Sequence, residues 1–71
     1  MTQNQINDLV QSAAINSAMH HSLRFGQTLM LILFDTDNDA YNAVVSNSNR
    51  VDPFYDDTKI IVFLDFLLTN K

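Results

Sequence analysis

Asp35-x-Asp37-x-Asp39 puts three carboxylates at alternate positions, the nearest approach in this chain to a metal-binding spacing. Alternate acids of this kind open the calcium loop of a helix–loop–helix site, where they converge on one hard cation. Two later positions break the match. Ala40 stands where such a loop turns sharply on glycine, and Ser46 stands where a bidentate Glu would close the shell. Three carboxylates without closure hold calcium weakly, so Asp35, Asp37 and Asp39 are expected to act as helix caps and solvated turn residues. His20-His21 is the other ligand-like pair. Adjacent residues on a helix point about 100° apart, whereas a shared metal needs i, i+3 or i, i+4 spacing. These histidines are therefore expected at the surface, where one of them could change charge near neutral pH.

Covalent catalysis has no starting point. Cysteine is absent, and no serine sits in a Gly-x-Ser-x-Gly elbow. The single glycine leaves neither a phosphate-cradling loop nor a dinucleotide fingerprint. Asp56 and Asp57 are paired carboxylates, but a general acid also needs a concave, desolvated pocket to raise its pKa. A chain of 71 residues leaves little room for one. The expectation is a protein without catalytic residues or cofactor, acting by contact.

The contact residues are sought around Asp52-Pro-Phe-Tyr-Asp-Asp57, which sets two aromatics among three carboxylates. Phe54 is expected to fold back over the core, while Tyr55 has the amphipathic character enriched at interfaces. Val62 and Phe66 fall off the main apolar stripe of the segment that follows, on a line with Tyr55. A second apolar stripe on one helix has to be covered, by the rest of the fold or by another chain. Asp52, Phe54, Tyr55, Asp56, Asp57, Val62 and Phe66 thus form the expected partner-binding set.

Four segments must position these residues. Thr2-x-x-Gln5 is a capping box, and Ile6, Leu9, Val10, Ala13 and Ser17 follow it at helical spacing, predicting a helix over about 3–20. Residues 22–35 contain the six-residue apolar run Leu29–Phe34, which has strand length but few β-branched residues. Arg24, Gln27, Thr28 and Asp35 lie along one helical stripe, opposite most of the apolar residues, with Leu31 as the exception. That stripe decides for helix, with Ser22 as a cap. A third helix over about 38–47, capped by Asp37, would bury Tyr41, Val44 and Val45. Residues 46–52 read as a polar loop ended by Pro53. In the last segment Ile60, Ile61, Phe63, Leu64, Leu67 and Leu68 carry the pattern of a core-facing helix, with Asp56 and Asp57 at its positive end. The predicted fold is an all-α, single-domain bundle of three to four short helices spanning 1–71. The β-branched triplet Ile60-Ile-Val62 keeps an α+β alternative open, with strands at 28–35 and 59–67.

Composition narrows the partners. A chain this short buries only about 60% of its unfolded surface. Without disulfides, a homodimer is the default way to seal an incomplete core. The net charge is −4, and Asp35, Asp37, Asp39, Asp52, Asp56 and Asp57 face only Arg50 across 35–57. Direct nucleic-acid binding is not expected, because it needs clustered Lys and Arg. An acidic segment can instead imitate a phosphate backbone, so nucleic-acid mimicry by 35–57 is one alternative and structural self-assembly another. The start of the chain lacks the features of a signal peptide, and six apolar residues fall far short of the roughly 20 a bilayer span needs. A cytoplasmic protein that avoids membranes is expected.

Leu23-Arg-Phe-Gly-Gln27, Asp52-Pro-Phe-Tyr-Asp-Asp57, Ile60 and Phe63-Leu-x-Phe-Leu67 together resemble a pattern in small uncharacterised proteins encoded by phages and prophages. The resemblance covers residues 22–68. It implies an all-helical chain with no established activity and leaves function open. The missing catalytic constellation, the small size, the spare apolar surface on the last helix and the acidic segment make a small virus-encoded protein that binds and modulates a host protein the leading expectation.

Overall fold

The computed structural model describes residues 1–19 and 22–69, with 48 and 49 by backbone alone. The chain is a small all-α bundle: α1 (Gln3–Met19), α2 (Phe25–Thr36), α3 (Asn38–Ser46), the single turn α4 (Ser48–Val51) and α5 (Ile60–Thr69), with a 3-10 turn at Asp57–Lys59 leading into α5. No strand forms among the described residues, which overturns the α+β alternative. Residues 28–35 lie within α2, and 60–67 within α5. The triplet Ile60-Ile-Val62 is helical because the 3.6-residue period buries Phe63 and Leu67 together, and that packing outweighs β propensity.

Side-chain caps start the helices. Thr2 N–H donates to Gln5 Oε1 at 2.8 Å while Gln5 N–H donates to Thr2 Oγ1 at 3.1 Å, the reciprocal pair expected from the sequence. α2 begins at Arg24 rather than at Ser22, with Arg24 N–H donating to Gln27 Oε1 at 3.0 Å. Asp37 serves two helices at once. Its N–H donates to the Leu33 carbonyl at 2.8 Å to end α2, and its carboxylate accepts from Ala40 N–H at 3.1 Å to start α3. The segment expected as a loop over 46–52 contains α4, because the Asn47 carbonyl accepts from both Arg50 and Val51 N–H and closes one turn.

All four longer helices feed one core. α1 contributes Ile6, Leu9 and Ala13, α2 Leu29, Met30 and Leu33, α3 Val44, and α5 Phe63 and Leu67. The Met1 ammonium donates to the Leu67 carbonyl at 2.8 Å, tying the start of α1 to the last turn of α5. Cations suit that negative helix end. The radius of gyration, 10.9 Å, is what compact packing of this length gives, about 11 Å.

Burial departs from the expected stripes at several positions. Thr28, assigned to the polar stripe, is buried, and its hydroxyl donates to the Arg24 carbonyl at 3.2 Å. Val45 is exposed, and Tyr41 is half-buried against Phe34 with ring centroids 5.0 Å apart. On α5, Ile60 and Leu64 are half-buried while Ile61 is 80% exposed and Leu68 43% exposed. The stripe that reads as core-facing runs past the edge of the core.

Candidate functional site

Asp52–Asp57 forms a clasp over the start of α2. Asp52 accepts from Phe54 N–H at 2.8 Å, which bends the chain around the buried Pro53. The Asp57 carboxylate accepts from Gly26 N–H at 3.1 Å and lies 3.7 Å from Arg24 Nε. Arg24 reaches on to the Phe54 carbonyl, donating from Nη2 at 2.6 Å. A carboxylate 31 residues away therefore satisfies a free N–H in the first turn of α2, where the helix is short of acceptors and its dipole favours negative charge. The glycine allows this approach. A Cβ at residue 26 would overlap the Pro53 carbonyl oxygen and stand 2.7 Å from Asp57 Oδ1.

Asp56 caps the 3-10 turn, accepting from Thr58 N–H at 3.0 Å and from Thr58 Oγ1 at 2.6 Å. The bonds from the Thr58 hydroxyl and then its backbone N–H hold the Asp56 carboxyl below the usual carboxylate range. Of the six acids between 35 and 57, Asp37, Asp52, Asp56 and Asp57 each accept from a backbone N–H. For Asp37, Asp52 and Asp56 the donor lies two or three residues on, a reach that suits the short Asp side chain. Asp35 and Asp39 are exposed, and no group of three potential ligands gathers among the described residues. His20 and His21 lie outside the described residues.

The expected partner-binding set divides between two places. Phe54 is half-buried against the core and meets Tyr55 edge-on, with centroids 4.9 Å apart, while Tyr55 is 83% exposed. Val62 and Phe66 instead line a shallow depression of about 300 Å³ with Arg50 and Val51 from α4. Tyr55 is not part of its lining. Arg50 and Val51 escaped the sequence reading because 46–52 looked like loop, and only the helical turn brings them to α5.

Beyond Asp65, which lines both, a second, larger groove of about 480 Å³ runs between α5 and α1. Ile6, Val10, Ala14, Leu64 and Leu68 contribute its apolar surface, and Gln3, Asn7, Gln11 and Asp65 its polar part. Its sequence signal was the i, i+4 spacing of Leu64 and Leu68, which reads equally well as core. Around α5 the only polar residues are Asp65 and Thr69, so the helix is apolar on its core face and on both flanks. Among the described residues the only buried polar side chain is Thr28, and every buried side-chain polar atom has a partner. No described helix is long and apolar enough to cross a membrane. No known family model, curated protein or solved structure matches the chain.

Proposed function

We propose that this chain is a non-catalytic protein-interaction domain that docks a partner through α5. The observation that carries the reading is the surface of that helix: with Phe63 and Leu67 filling the core, Val62 at 46% and Ile61 at 80% exposure remain in solvent. A helix apolar on nearly all sides is normally one that is covered on nearly all sides. The depression built by Val51, Val62 and Phe66 has Arg50 and Asp65 in its lining, one charge of each sign. It suits an apolar anchor side chain flanked by polar groups, the pattern of a small binding hot spot. The absence of a buried ionisable side chain among the described residues supports contact over chemistry. The resemblance to phage-encoded proteins makes a host protein the partner to look for.

The acidic segment supports mimicry of nucleic acid less well, since four of its carboxylates are occupied by backbone caps. Affinity capture from a bacterial lysate with wild-type and Val62→Asp chains, both checked for folding by circular dichroism, tests the reading. A stoichiometric protein retained by the wild type and lost by V62D is expected. Identical recoveries from the two chains would overturn it.

A further inference from the structure

We infer that the α1/α5 groove is the seat of a second copy of this chain, forming a two-fold symmetric dimer in which α1 and α5 of each copy complete a four-helix interface. This surface meets the Val62–Phe66 depression at Asp65, which lines both, and the inference does not rest on the function proposed above.

Charge singles out the occupant. The chain carries a net −4, so two copies repel each other over most approaches. α1 holds a single charged residue, Asp8, which is not in the groove, and α5 holds only Asp65. Every other polar residue lining the groove is a neutral amide. A basic partner would find one carboxylate here and most of the acids elsewhere, whereas a second acidic copy meets its least repulsive surface.

Shape and area agree. A two-fold contact must be self-complementary, and this face carries both halves. Leu68 stands out at 43% exposure, and Val10 and Ala14 of α1 line the trough across from it. Two antiparallel helix pairs laid face to face make the ordinary geometry of a four-helix bundle. A standard interface removes about 800 Å² from each partner, roughly a sixth of the 4662 Å² that this chain exposes. α1, about 25 Å long, and α5 are the two helices that would supply it.

Sedimentation equilibrium on the full chain decides the matter. The wild type is expected to move from 8.1 kDa to twice that mass as concentration rises through the micromolar range, with dimerisation unchanged or strengthened by added salt. Leu68→Asp and, separately, Ala14→Arg change exposed groove-lining positions and leave the core untouched. Each is expected to weaken dimerisation by about tenfold or more with the helical signal retained, while V62D dimerises as the wild type does. A monomer at every concentration, or a dimer indifferent to both groove variants, would overturn the inference and assign this flank to a different protein.

Discussion

At Gly26 a methyl group has nowhere to go. In an ordinary helix interior Gly→Ala gains about 1 kcal/mol, but here the added carbon runs into the Pro53 backbone carbonyl and the Asp57 carboxylate. Moving Pro53 means moving a buried residue, so Gly26→Ala is expected to lose about 1–3 kcal/mol, the range of overpacked sites. Urea unfolding measures it, and a more stable variant would contradict the clasp. Asp57→Ala removes the same contact from the other side and is expected to lose about 1 kcal/mol, the usual worth of a helix cap. The exposed ion pair to Arg24 adds little to that. Asp56 gives a pH signature. Its carboxyl is held low in the folded chain by Thr58, so its contribution is complete above the ordinary carboxylate pKa and fades as pH falls through the lowered value. Thr58→Val removes the first cause of the shift, and an NMR titration should then find the Asp56 midpoint moved up.

Elements were legible in the sequence where local chemistry and packing agree. The Thr2–Gln5 box and the Asp37 cap were visible as residue types at fixed spacing, because each satisfies a backbone group a few residues away. The choice of helix over strand at 28–35 and 60–67 rested on periodicity, and it holds because Leu29, Leu33, Phe63 and Leu67 share one core. What stayed hidden was long-range. Asp57 looked like the opening charge of the last helix, and only the fold turns it toward Gly26, 31 residues back. Gly26 has the residue type that helix propensity disfavours within α2, and the fold makes it the gap through which the clasp closes. The burial of Ile61 and Leu68 was expected from a pattern that cannot distinguish a core facing inward from an interface facing a neighbour. At this scale, Thr2→Ala is expected to lose about 1 kcal/mol and to fray the start of α1, read as faster amide exchange over its first turn.

For the whole molecule, size and surface belong together. A 71-residue chain without cysteine has a core of nine buried apolar side chains among the described residues, and domains of this size are of marginal stability when alone. A second copy on the flank of α5, as inferred above, would add apolar burial that the monomer lacks and link folding to association, so the melting temperature is expected to rise with protein concentration. The central claim is that the apolar stripe of α5 extends beyond the core because a second surface completes it. An NMR dilution series on labelled protein tests this most directly, since it reads every amide at once. The account predicts concentration-dependent shifts at the groove residues Val10, Ala14, Leu64 and Leu68, with the exposed Leu31, Phe34 and Val45 on α2 and α3 unmoved. Shifts confined to α2 and α3, or none at all up to about millimolar concentration, would contradict it.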